Sequence, residues 1–185
     1  MQVIATDVLD TKEKMVNMAQ EQLKKPGFAI DPSFYRSHVT YQSELEHIIF
    51  KSWLYDGHVS QIPNKGDYFL FDIGEDSIII CRDRKEEIHA MHNMCRHRGA
   101  RVCEEPSGNC RVFACPYHGW GYALDGTLKA ARDMRDVEGF NFEDYGLLHV
   151  RMEIFQGMIF INCNPDAPDF KKPLSKISKQ LGAYL

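Results

Sequence analysis

Two short clusters, Cys95-Arg96-His97 and Cys115-Pro116-Tyr117-His118, stand seventeen residues apart. No other feature constrains the fold as much, because two loops must face one another before these four side chains can share one centre. The close spacing lets a single loop present both members of a pair, and Gly99 and Gly119 permit tight turns around a bulky group. In a mixed-ligand [2Fe–2S] arrangement two cysteines hold one iron and two histidines the other. Cys95 and Cys115 are therefore assigned to the inner iron, and His97 and His118 to the outer one. A centre of this kind points to electron transfer.

The imidazoles change the electrostatics. Two ferric ions, two sulfides and two thiolates sum to about zero, against about -2 for the same core with four thiolates, so an added electron meets less repulsion and the potential rises. Histidine N–H groups turned away from the metal can also lose a proton, which implies a midpoint potential that falls as pH rises above the histidine pKa values. The alternative left open by these residue types is a tetrahedral zinc site, since two Cys and two His also make one.

Composition narrows the setting. With 185 residues, 44% of them hydrophobic, the chain can build one ordinary core. A formal charge of -4 argues against nucleic-acid and membrane-surface partners. The start, MQVIATDVLD, lacks the features of a secretory signal, and no apolar run is long enough to span a bilayer, so a cytoplasmic protein is expected. In that reducing setting six cysteines favour metal binding over disulfides.

The expected fold is mainly β with flanking helices. Met15, Met18, Ala19 and Leu23 share a helical face over 11–24, ended by Pro26-Gly27, and a Ser43/Glu46 capping box predicts a second helix over 43–51. From Trp53 onward short β-rich runs are separated by turn residues: YFLFDI, SIIICR and EIHAMHN, then strands at 110–114, 121–123, 146–153 and 157–162. That texture predicts an antiparallel β-sandwich or small barrel carrying the two loops. The boundaries follow as a helical extension over 1–42, the metal-binding domain over 43–163, and a proline-containing linker, or a segment that needs a partner, over 164–185.

Other candidates are weighed against plainer roles. Cys81, Cys103, Cys110 and Cys163 are read as packing residues, and His89, His92 and His149 as strand or loop residues. Trp120 and Tyr122 either shield the centre, Tyr122 by donating to a thiolate, or pack as ordinary aromatics. Arg96, Arg98, Arg101 and Arg111 outnumber Glu104 and Glu105 between the loops, forming either a positive rim for an acidic donor or solvated surface.

CRHRG followed by CPYHGW resembles the Rieske signature, in the version found in Rieske non-haem iron oxygenases. The run Phe50 to Trp53, Gly57-His58, Ile62-Pro63 and Gly66-Asp67-Tyr68, and the later GMIFIN, are similar to the N-terminal part of an oxygenase α subunit, so the resemblance covers about 34–163. It implies a Rieske-type fold with two cluster-binding loops. The cytochrome bc branch carries an extra cysteine in each loop and a serine after the second His-Gly. Here those places hold Ala100, Tyr117 and Trp120, which implies a potential toward the ~-150 mV end of the Rieske range.

In the family a second domain holds a mononuclear Fe(II) through two histidines and a carboxylate. The eight histidines, at 38, 47, 58, 89, 92, 97, 118 and 149, contain no such set, so the chain is expected to be a piece of a larger subunit without the catalytic iron. The resemblance implies single electrons received from a flavin reductase or ferredoxin, delivery through His97 or His118, a homotrimer in the full enzyme, and O2-dependent mono- or dioxygenation. The pattern around CRHRG is most similar to α subunits acting on quaternary ammonium compounds, and ring-hydroxylating relatives share it. The competing reading is a stand-alone Rieske ferredoxin, which would resemble only the central ~110 residues.

Overall fold

Helix α1 (Lys12–Leu23) forms where the spacing of Met15, Met18 and Leu23 predicts it, with Thr11 accepting from the Lys14 N–H at its start. Helix α2 (His38–His47) starts five residues before the predicted capping box. Ser37 takes the N-cap role, its Oγ accepting from the Thr40 N–H at 3.2 Å while donating to the Leu9 carbonyl at 2.9 Å. That second bond buries Ser37 and selects it over Ser43, which lies inside the helix. The expected boundary at 42/43 thus falls within α2, and the chain divides into compact units between Lys51 and Ser52.

The computed structural model describes residues 9–171, 174, 175 and 178. The first eight residues, used above in reading the N-terminus, and half of the expected linker lie outside the described residues. Among those described, no helix is long and apolar enough to cross a membrane.

The second unit is built on ten described strands: β1 (Leu54–His58), β2 (Asp67–Ile73), β3 (Asp76–Arg82), β4 (Ile88–His92), β5 (Ser107–Asn109), β6 (Phe113–Ala114), β7 (Gly121–Tyr122), β8 (Leu128–Ala130), β9 (Arg151–Phe155) and β10 (Met158–Asn162). They form three antiparallel sheets, ordered β1-β10-β9, β4-β3-β2-β5 and β6-β7-β8. The meander of β2, β3 and β4 lies where YFLFDI, SIIICR and EIHAMHN predict it, with Tyr68 opposite Cys81 and Ile80 opposite Ala90. Strands β1, β5 and β8 escape the sequence reading. β1 carries Asp56 and Gly57 in place of an apolar alternation, and β5 and β8 have only three residues each.

Strand β3 explains how two cores coexist. Successive side chains point to opposite faces, so Ile78 and Ile80 enter a core shared with Ile62, Phe69, Ile159 and Ile161. Ile79 and Cys81 enter the other core, with Phe113, Trp120 and Tyr122. All four β3 residues are fully buried. The unbroken apolar run is therefore what a wall between two cores requires, and the second core is the floor beneath the ligand loops.

The start of the expected linker is docked. Trp53 Nε1 donates to the Pro168 carbonyl at 2.9 Å, and Arg151 donates to the carbonyls of Pro165 and Ala167, each at 3.1 Å. Phe170 is buried, its ring 5.1 Å from Trp53 and 4.9 Å from Phe160. Carbonyls of this proline-containing segment are thus taken up by Arg151 on β9 and by Trp53 just before β1.

Candidate metal centre

The two ligand loops are built alike. In the first, the Cys95 N–H donates to the Ala100 carbonyl (2.8 Å) and the Gly99 N–H to the Cys95 carbonyl (2.9 Å). In the second, the Cys115 N–H donates to the Trp120 carbonyl (2.8 Å) and the Gly119 N–H to the Cys115 carbonyl (3.0 Å). Gly99 and Gly119 sit at φ +74° and +72° with open space where a Cβ would stand, so glycine is needed for the backbone angle and not for room.

These loops bring all four sequence-predicted residues together. Cys95 and Cys115 are each 3% exposed, and the rings of His97 and His118 lie 4.6 Å apart between centroids. Burial pushes the Cys115 thiol up, and the neighbouring Cys95 adds to this, so Cys115 keeps its proton until a cation takes its place. Burial lowers His97, helped by His118 and Arg98, which favours the neutral imidazole a metal requires.

Two observations test the fit of an iron–sulfur group. First, Nδ1 of His97 and Nδ1 of His118 are both shut off from solvent with no hydrogen-bond partner among the described residues. Buried ring nitrogens are ordinarily satisfied, so a pair of orphans on facing rings fits two metal bonds. Second, ligands of one tetrahedral zinc, at bonds of about 2.0–2.3 Å, would lie within ~4 Å of one another. Among the described residues only Asp83, Glu87 and His89 place three ligand atoms within 4.8 Å of one another. No three of the four loop ligand atoms come that close together, which a single ion would need and a two-iron core does not.

Aromatic rings cover the histidines. Trp120, 2% exposed, stacks on His97 at 4.9 Å and 7°, and Tyr117, 58% exposed, lies 3.9 Å from His118. Phe140 and Tyr145 meet Trp120 edge-on, each at 5.7 Å. Sequence reasoning missed these two, because they follow the second loop by twenty residues or more with no motif. It also missed Asn93. This buried side chain accepts from the Val102 and Cys103 N–H groups and donates to the Cys103 carbonyl and Ser77 Oγ, fixing both ends of the first loop. Its place two residues before Cys95 was the available signal.

Of the two readings of Tyr122, its place against Cys95 favours the donor, because a thiolate ligand at Cys95 could only accept. Its hydroxyl oxygen accepts from the Arg96 N–H at 3.0 Å, which leaves its own proton free for Cys95 Sγ at 3.3 Å. Burial, with Cys95 beside it, raises this phenol and keeps it a donor at neutral pH. A hydrogen bond to a ligand sulfur favours the reduced, more negative state. Tyr122→Phe should therefore lower the midpoint potential by roughly 40–80 mV, the equivalent of about 1–2 kcal/mol for one electron. An EPR-monitored redox titration measures it, and an unchanged potential would remove Tyr122 from the tuning.

The remaining candidates fall elsewhere. His89 Nε2 lies 3.2 Å from Asp83, and His149 bridges Met91 in an isolated strand contact. Cys81 is fully buried and donates to the Leu124 carbonyl, and burial pushes Cys103 up to about 12, as expected of packing thiols. Arg101 is engaged by Asp72 at 3.3 Å.

Residues 52–141 match the Rieske [2Fe-2S] domain family. Biphenyl 2,3-dioxygenase subunit alpha of Rhodococcus jostii is 41% identical over 141 residues, 76% of this chain and 31% of the relative. The glycine betaine monooxygenase oxygenase subunit of Pseudomonas aeruginosa is 35% identical over 158 residues, 85% of this chain and 37% of the relative. Among solved structures, naphthalene 1,2-dioxygenase from Rhodococcus sp. bound to indole superposes with a TM-score of 0.79 at 29% identity, covering 95% of this chain and 41% of that one.

The fold, the twin loops and these matches define an iron–sulfur protein of the Rieske class. More narrowly, the chain is similar to the Rieske portion of oxygenase α subunits, and it spans about a third of the length of the curated relatives it matches.

Proposed function

We propose that this chain is the electron-transfer portion of a Rieske oxygenase α subunit, with Cys95 and Cys115 as ligands of the inner iron and His97 and His118 of the outer. The observation that carries the reading is the pair of buried, unpartnered Nδ1 atoms on facing rings, set in two loops of matching hydrogen bonds beside two buried thiols. When bound, the [2Fe–2S] group supplies a one-electron site of higher potential than an all-thiolate cluster.

The residues around it have separable tasks. Trp120 seals one face of His97 from water, held by Phe140 and Tyr145. Tyr122 and the Arg96 N–H hold the Cys95 side, and Asn93 fixes the loop that carries it. With Nδ1 turned inward, the second nitrogen of each half-buried imidazole remains to bond a carboxylate of a partner. Tyr117 covers His118 at the exposed side, where an electron donor would approach.

In this reading the protein is cytoplasmic, receives single electrons from a flavin reductase or ferredoxin, and delivers them to a mononuclear non-haem Fe(II) for O2-dependent mono- or dioxygenation in a trimeric enzyme. Residues 1–51 form an N-terminal extension, and the chain beyond Phe170 leads toward the catalytic domain. Substrates of both relatives' classes, aromatic and quaternary ammonium, fit the same electron-transfer portion. The test is anaerobic reconstitution followed by dithionite reduction. Two irons and two sulfides per chain with an axial EPR signal support the reading; colourless protein without that signal overturns it. An uncut reading frame that encodes no two-histidine, one-carboxylate triad after residue 185 would instead favour a stand-alone ferredoxin.

A further inference from the structure

Strand β1 is irregular at one residue. Tyr55 pairs with Phe160 and Gly57 with Ile159, so Asp56 is the extra residue of a β-bulge. Bulges re-aim side chains, and here the result is a carboxylate with both oxygens cut off from water and without a hydrogen-bond partner among the described residues. The opposing residues Ile159 and Ile161 are fully buried and belong to an apolar core. An ionised carboxylate in such a place is costly unless paired, so the group is held as the neutral acid instead.

Among the described residues no cation is paired with this carboxyl. Cys163, just after β10, is the thiol that responds to Asp56, and Asp76 at the start of β3 acts on the same thiol. His58 on β1 is tied to Ser60, Arg151 on β9 is engaged by the carbonyls of Pro165 and Ala167, and Glu153 on β9 is exposed. Burial alone accounts for a carboxyl pushed up to about 7.

The position gives this acid leverage. β1 is an edge strand, bonded only to β10, and it begins directly after Trp53, which grips the returning tail through the Pro168 carbonyl and Phe170. We propose that Asp56 is a proton-operated latch: protonated, it lets β1 close on β10; ionised, it loosens that edge and with it the hold of Trp53 on residues 164–171.

The sign follows from proton linkage. A carboxyl held above its ordinary value keeps a proton in the folded chain that the unfolded chain has already released. Its contribution to stability is complete below about pH 4, is lost as pH rises toward 7, and is constant above that. A rise of about three units corresponds to a folding equilibrium weakened on the order of a thousandfold across that window.

The experiment is hydrogen exchange by mass spectrometry on the cluster-loaded chain, following peptides that cover 54–58 and 164–171. Wild type, Asp56→Asn and Asp56→Leu are compared at about pH 5.5 and about pH 8, after correction for intrinsic rates. The expected result is that the ratio of wild-type to variant exchange in both segments is at least about tenfold greater at the higher pH than at the lower. Asp56→Leu replaces the orphan oxygens with apolar volume and keeps the test open should the Asn amide find no partner. Equal exchange at both pH values, or a difference of the same factor at both, would overturn the latch.

Discussion

Cys95→Ala is expected to lose the iron–sulfur group and to loosen both ligand loops. The thiol is buried, and the Cys95 backbone closes the first loop through the Ala100 carbonyl and the Gly99 N–H, so the side chain and the turn depend on one another. The unoccupied loops then carry two orphan imidazole nitrogens that only a metal bond satisfies, each worth about 1–3 kcal/mol if left unmade. Metal binding in such sites is folding free energy, so the loss should appear in both quantities. Iron content should fall below about a tenth of the wild-type value, visible absorbance should vanish, and the melting temperature should drop by several degrees. Two irons per chain retained in this variant would show that the ligand assignment is wrong.

His97→Cys and His118→Cys are expected to keep a cluster while lowering its potential. Each exchange replaces a neutral ligand by an anionic one, and the added charge opposes the incoming electron. Plant-type clusters with four thiolates lie near -400 mV against about -150 mV at the low end of the Rieske range, so the shift can approach roughly 250 mV for a full exchange and about half of that for one ligand. The two positions should differ in a second respect. Removing the His97 ring uncovers the face of Trp120 that stacks on it, whereas His118 is covered by the exposed Tyr117. His97→Cys should therefore give the more water-accessible and less stable cluster, measured by redox titration alongside the rate of iron release to a chelator. Unchanged potentials in both variants would exclude histidine ligation.

Much of the centre was legible because its signals are local. Cys-x-His and Cys-x-x-His each lie within one loop, and their glycines sit at the positive φ values those turns demand. The β2, β3 and β4 runs were legible for a related reason, since each strand advertises itself over six or seven residues. The helix start was ambiguous. Ser37 and Ser43 both have capping chemistry, and the choice depended on the Leu9 carbonyl twenty-eight residues earlier in the chain. The docking of the tail was not legible, because the groups that hold it, Trp53 and Arg151, lie far away in sequence.

What the residues determined by themselves was the ligand set: two thiols and two imidazoles at loop spacing offer a mixed sulfur and nitrogen metal centre, because ligand type and charge are local properties. Tertiary structure alone decided which aromatics seal that centre, which hydroxyl reaches Cys95, and that Asp56 is buried without a partner. Those outcomes depend on strand register and on packing between segments distant along the chain. A one-residue bulge in β1 is enough to decide where a carboxylate ends up, and no local pattern announces it.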